Sequence, residues 1–142
     1  MRSRMLALLA ILALVAAGCV VPQGAPVEEC APGWEPDVAE APGTITGPAQ
    51  TIPISCYRVD AERRIEIGFA MPPGPECYAV DLVDVIEDAE AVSLELRIGP
   101  IRNPLGGACP DEEFVWSVPV ELNRPIEGRR VLDASRLGAE GG

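Results

Sequence analysis

Apolar and polar residues alternate with a period of two along much of the chain between residues 51 and 137, which is typical of half-buried β-strands. The pattern predicts six strands, at 52–59, 64–69, 77–86, 91–98, 114–122 and 129–133. Turns rich in proline and glycine separate most of them, and no apolar period of 3.6 residues persists over three helical turns. We therefore predict an all-β domain, an antiparallel β-sandwich with an immunoglobulin-like arrangement as the default.

Three of these strands carry more specific predictions. In 77–86 we expect one face to carry Tyr78, Val80, Leu82 and Ile86 and the other to carry Asp81, Val83 and Val85. In 91–98 the face that carries Ser93, Glu95 and Arg97 is predicted to meet solvent, and the opposite face to meet the core. The strand 114–122 contains Pro119, which cannot donate to a neighbouring strand, so that strand is predicted to lie at a sheet edge or to be bulged there.

The N-terminus has the pattern of an export signal, since two arginines precede 13 consecutive apolar residues at 5–17. The run ends at Val15-Ala16-Ala17-Gly18-Cys19, which resembles the bacterial lipobox. That resemblance implies cleavage before Cys19 and a diacylglycerol on its thiol, so residues 1–18 are predicted to be a lipoprotein signal peptide. An uncleaved membrane span at 5–21, which is short for about 30 Å of hydrocarbon, and ordinary secretion are the alternatives.

The cysteine count agrees with a lipid anchor. Five cysteines are an odd number for an exported protein, and lipidation of Cys19 leaves four that can form disulfides. Three pairings of those four are possible. We favour Cys30–Cys56 and Cys77–Cys109, because each joins neighbours along the chain.

Residues 19–50 contain six prolines and no apolar period, which favours an extended tether between the membrane and a domain at 51–137. Trp34 lies in this tether, and we expect it either to pack on the domain surface or to contact a ligand as an exposed aromatic residue. Residues 138–142 are predicted to be a disordered tail.

The amino-acid composition argues against several classes of function. The net charge of −11 argues against nucleic-acid binding and predicts repulsion from anionic headgroups, so we expect the domain to stand off the membrane. The chain has no histidine and no lysine, which removes the commonest catalytic base and metal ligand. We predict no catalytic site, no cofactor and no metal. Acidic residues at 84–90 and 111–113 lack the spacing of a calcium loop and are interpreted as solvated turn charges, with weak Ca²⁺ binding as the alternative.

Several segments together resemble a known group of proteins: Cys77 with 81–85, the partner segment 92–96, Cys109 and the ending 120–133. They are similar to lipoproteins and secreted proteins of high-GC actinobacteria. The resemblance covers residues 56–134 and implies a small disulfide-containing all-β domain without implying an activity.

These observations predict a lipid-anchored protein at the extracytoplasmic face of the cell membrane, with a non-catalytic domain that binds an envelope protein or a glycan. One alternative is an accessory lipoprotein that binds a small ligand in an apolar pocket. Another is a structural or inhibitory module that inserts the loop 99–108 into a partner.

Overall fold

A computed structural model of the chain describes residues 20–39, 44–71, 75–102, 106–109 and 111–137. Nine strands lie in these ranges: β1 (Ala25–Pro26), β2 (Val38–Ala39), β3 (Gln50–Ile52), β4 (Cys56–Ala61), β5 (Arg64–Met71), β6 (Tyr78–Glu87), β7 (Ala91–Pro100), β8 (Phe114–Glu121) and β9 (Arg130–Asp133). A short 3-10 helix, Ala134–Arg136, follows β9. The strands form two sheets around one apolar core, which confirms the predicted all-β sandwich. In the described part of the chain, no helix is long and apolar enough to span a bilayer.

Sheet A is built around β7. One edge of β7 pairs with β6 in an antiparallel ladder. The other edge is shared by two strands placed end to end: β9 pairs in parallel with residues 91–94, and β3 pairs antiparallel with residues 96–98. Outside β9 lies β1, which is antiparallel to it.

Sheet B has the order β2-β8-β5-β4. The central pair, β5 and β8, is antiparallel over eight residue pairs, from Arg64 with Glu121 to Met71 with Phe114. Strand β2 pairs in parallel with β8 only at Trp116 and Ser117. Beyond those two residues the outer edge of β8 has no strand partner among the described residues. Pro119 lies in that part of β8, so the predicted sheet edge is present locally at the proline, although β8 itself lies between β2 and β5.

The core lies between the two sheets and follows the predicted period of two. Strands β5, β7 and β8 supply its centre through Ile65, Ile67, Phe69, Val92, Leu94, Leu96, Ile98, Trp116, Val118 and Val120. The rings of Phe69 and Trp116 stack with centroids 6.0 Å apart. Burial of each large apolar side chain contributes about 1.5–3 kcal/mol, so these alternating positions are the main source of stability.

The prediction for the faces of β6 is wrong beyond its third residue pair, Val80 with Ile98. The register with β7 shifts between Val80 and Leu82, so that Asp81 is an extra residue in a β-bulge. After a bulge the two faces of a strand exchange. Val83 and Val85 therefore pack against the core, whereas Leu82 and Ile86 point outward and are 41% and 36% exposed.

The segment predicted as a tether contributes to both sheets, so the fold begins before residue 51. In sheet A the Val27 amide donates to the Val131 carbonyl oxygen at 2.9 Å. In sheet B the Cys30 amide donates to the Tyr57 carbonyl oxygen at 2.8 Å. The chain thus crosses from one sheet to the other within four residues. Its strands β1 and β2 have two residues each, too few to display a period of two.

Candidate functional site

Both favoured disulfides are present, with Cα–Cα distances of 4.8 Å for Cys30–Cys56 and 5.9 Å for Cys77–Cys109. The first joins the N-terminal segment to β4, at the outer edge of sheet B. The second joins the start of β6 to the segment that precedes β8. The predicted lipidation site, Cys19, lies outside the described residues, as do the signal peptide 1–18 and the tail 138–142.

Trp34 packs on the outer face of sheet B, as the first of its two alternatives predicts. A Cβ atom placed on Gly68 of β5 would come within 2.5 Å of the indole ring, so only glycine leaves room for it. The Arg58 guanidinium carbon lies 5.5 Å from the centre of the ring, within the range of a cation–π contact. The indole remains partly exposed beside this guanidinium.

A polar groove of about 470 Å³ crosses the same face, beside β2. Its lining is Ala39, Arg58, Asp60, Arg64, Glu66, Ser117 and Pro119. The four charged side chains form two ion pairs, Arg58 with Glu66 and Arg64 with Asp60. The hydrogen bond and the charge of Asp60 raise the pKa of Arg64. The polar groove therefore offers guanidinium donors and carboxylate acceptors next to an aromatic ring.

An apolar cleft of about 360 Å³ lies on the outer face of sheet A. Its lining is Val20, Val21, Gln23, Ile86, Ser93, Glu95, Ala134 and Leu137. Six large apolar side chains are exposed among the described residues, and four of them line this cleft: Val20, Val21, Ile86 and Leu137, with exposed fractions of 73%, 56%, 36% and 57%. Such clustering is the usual mark of an interaction surface.

Three features of the fold build the apolar cleft. The bulge at Asp81 turns Ile86 outward, and the 3-10 helix brings Leu137 to the same face. The N-terminal segment lies across β7, where the Ser93 hydroxyl donates to the Gln23 carbonyl oxygen. Ser93 is only 2% exposed for this reason, contrary to its predicted solvent-facing position.

The acidic residues of the β6–β7 hairpin have structural roles. Glu87 was predicted to be a solvated turn charge, but it forms a buried ion pair with Arg129 at 2.7 Å. Burial by itself raises the pKa of Glu87, but the Asn123 amide and the Arg129 guanidinium lower that pKa by more, so the net shift is downward. Asp88 accepts the Glu90 and Ala91 amides, which lower the pKa of Asp88. The residues that the structure describes contain no group of three or more potential metal ligands.

Asp133, which the sequence analysis did not single out, is fully buried at the end of β9. One carboxylate oxygen accepts the Ile54 amide at 2.9 Å and contacts the Arg136 guanidinium at 3.1 Å. The other accepts both the amide and the hydroxyl of Ser135. Asp133 therefore fixes the 3-10 helix, and with it Leu137 of the apolar cleft, to the segment that precedes β4.

The loop 99–108 is held at both ends. The Ile101 amide donates to the Cys77 carbonyl oxygen at 2.9 Å, and Cys109 follows the loop. Residues 103–105, which would form the inserted tip of an inhibitory loop, lie outside the described residues.

Comparison of the chain with protein-family models, with curated proteins and with solved structures found no match. Two surfaces of opposite chemistry are the candidate functional sites: the polar groove on sheet B and the apolar cleft on sheet A.

Proposed function

We propose that this protein is a lipid-anchored, non-catalytic binding module of the cell envelope, and that the polar groove on sheet B binds a glycan. The observation that carries the proposal is the composition of this groove: two guanidinium groups and two carboxylates, with Trp34 packed beside Arg58. Sugar hydroxyls both donate and accept hydrogen bonds, so a glycan can use both kinds of group.

The charges in the polar groove favour a ligand without net charge. Each guanidinium is paired with a carboxylate, so the lining carries no excess of either sign. An anionic ligand would have to displace Asp60 or Glu66, whereas hydroxyl groups can bond to the pairs as they stand. Hydrogen bonds to charged groups are about twice as strong as those between neutral groups.

The absence of histidine and lysine from the sequence supports the non-catalytic part of the proposal. The resemblance of residues 15–19 to a lipobox and the odd cysteine count support the anchor on Cys19. A second candidate, a small apolar ligand bound on sheet A, is favoured only by the volume of the apolar cleft, which falls in the range of ligand pockets.

Titration of the purified protein with soluble oligosaccharides of the cell envelope, followed by calorimetry, tests the glycan proposal. We expect Arg58→Gln or Arg64→Gln to weaken binding about tenfold or more, because each removes a charge-assisted hydrogen bond. Arg63→Gln is the matched control, since Arg63 stands in the adjacent turn and does not line the groove. Equal losses in all three variants, or no binding by the unaltered protein, would contradict the proposal.

The anchor is tested separately by intact mass. The unaltered protein is expected to carry the mass of an acylated glycerol and to enter the detergent phase, whereas Cys19→Ala is expected to do neither. Because this measurement does not involve the polar groove, the anchor and the glycan site can fail independently.

A further inference from the structure

We infer that the apolar cleft on sheet A rests on the bilayer that holds the anchor, with acyl chains of the outer leaflet against Val20, Val21, Ile86 and Leu137. Sheet A then faces the membrane and sheet B faces away from it. The inference deepens the proposed function and rests on the lipid anchor at Cys19, but it does not depend on the glycan.

The position of the cleft along the chain favours contact with the bilayer. Val20 is the first described residue, and it already lines the apolar cleft. Val20 follows the proposed anchor residue directly in the sequence, so no intervening residue separates the anchor from the lining of the cleft. No spacer follows, because Gln23 is bonded to β7 and β1 begins at Ala25.

The chemistry of the lining favours an apolar occupant. Only one of the eight residues that line the apolar cleft, Glu95, is charged. Four of the seven residues that line the polar groove are charged. Transfer of apolar surface from water to hydrocarbon is favourable by roughly 25 cal/mol per Å². An apolar occupant therefore suits the apolar cleft and not the polar groove.

A lipid surface is favoured over a protein or a soluble ligand by its effective concentration at the cleft. A partner in solution binds at its own concentration, whereas a bilayer attached one residue away is held at an effective concentration of millimolar order or more. The net charge of −11 repels anionic headgroups, which is the reason for the stand-off expected from the sequence. The inferred contact replaces that expectation and depends on these apolar side chains alone.

Quenching by brominated lipids tests the orientation of the domain. The acylated protein carrying Leu137→Trp is reconstituted into phosphatidylcholine vesicles with brominated or ordinary acyl chains, and the emission of the added tryptophan is compared. Val59→Trp is the matched control, because Val59 is an exposed valine of β4 that does not line the cleft. The unaltered protein supplies the background from Trp34 and Trp116.

We expect brominated chains to remove at least half of the added emission of Leu137→Trp and almost none of that of Val59→Trp. Val20→Trp serves as a second cleft variant if the first does not fold. Equal quenching at both positions, or no quenching at either, would overturn the inference. Absence of quenching at both positions would indicate that the cleft binds a protein or a soluble ligand instead of lipid. Mass analysis of the same sample shows whether the anchor itself is present, so its failure is recognised separately.

Discussion

Arg129 and Glu87 form a buried ion pair outside the apolar core. Both side chains are nearly inaccessible, at 4% and 6% exposed, and they join the segment before β9 to the β6–β7 hairpin. Removing one partner leaves a buried charge without compensation, which costs about 3–5 kcal/mol. We expect Arg129→Met to lose about 3 kcal/mol of unfolding free energy in urea. Arg64→Met is the control, because it breaks an exposed ion pair. We expect it to leave the urea midpoint of unfolding almost unchanged.

The same pair makes stability depend on pH. The pKa of Glu87 is lower in the folded protein than its ordinary value of 4.5, because the amide and guanidinium bonds outweigh the effect of burial. Its contribution is complete above pH 4.5 and is lost as the pH falls through the lower folded value. We expect Glu87→Gln to be less stable at pH 7 and the gap from the unaltered protein to narrow below pH 4.5. Urea unfolding at several pH values measures the unfolding free energies of the variant and of the unaltered protein. A difference between them that stays constant with pH would contradict the lowered pKa of Glu87.

Asp133 gives a second prediction at this scale, because both of its carboxylate oxygens accept hydrogen bonds. An asparagine has only one oxygen, so Asp133→Asn points an NH₂ group at a buried donor. We expect a loss of about 2–3 kcal/mol in unfolding free energy. Asp88→Asn is the matched control, since its two amide donors share one oxygen that asparagine retains, and it is expected to unfold nearly as the unaltered protein does. Equal losses would contradict this role of the second oxygen.

Some of these residues were predictable and others were not. The cysteine pairing followed from chain proximity, because each bridge closes a loop of modest length. The burial of Glu87 and Asp133 depends on partners 42 and 79 residues away. Local sequence contains no signal for these two distant contacts, so Glu87 is interpreted as a turn charge and Asp133 as the last residue of an ordinary strand until the tertiary fold is known.

At the scale of elements, the bulge in β6 decides which apolar residues reach the surface. Asp81 has no partner in β7, whereas Val80 and Leu82 pair with the adjacent residues Ile98 and Arg97. Deleting Asp81 therefore keeps every residue pair, and we expect it to change the unfolding free energy by less than about 1 kcal/mol. Denaturant unfolding measures the change.

Asp84 provides the matched deletion, because it is an exposed aspartate of the same strand that does have a partner, Glu95. Its deletion shifts Val85 to the opposite face or forces a register slip. We expect a loss of about 2 kcal/mol or more, roughly the burial energy of one valine. Similar losses for both deletions would show that Asp81 does not act as a bulge residue.

The long strands were visible in the sequence because a period of two needs several residues to appear. Strands β5, β7 and β8 have eight to ten residues each and were predicted close to their observed bounds. The bulge was missed because an unpaired residue leaves no mark in an apolar run. The apolar cleft was missed for the same reason, since it depends on the exchange of faces after Asp81.

At the scale of the whole molecule, incorporation of the N-terminal segment into the sandwich changes how an anchored domain would be held. A flexible tether of thirty residues has a root-mean-square reach of about 30 Å and fixes no orientation. Here Val20 lies in the apolar cleft and Cys30 is bonded to β4, so the segment between them is part of the fold. An anchor at residue 19 would hold the domain against the membrane on the side of sheet A.

Restoring a tether tests this idea. We expect ten glycine and serine residues inserted between Cys19 and Val20 to allow about 17–19 Å of separation and to lower the effective concentration of lipid at the cleft. In vesicles, brominated lipids should then quench Leu137→Trp much less than in the uninterrupted chain, while glycan binding by the polar groove is unchanged. Acyl mass shows that the anchor is retained. Unchanged quenching would mean that the cleft holds the bilayer by its own affinity, and that the one-residue connection does not set the orientation.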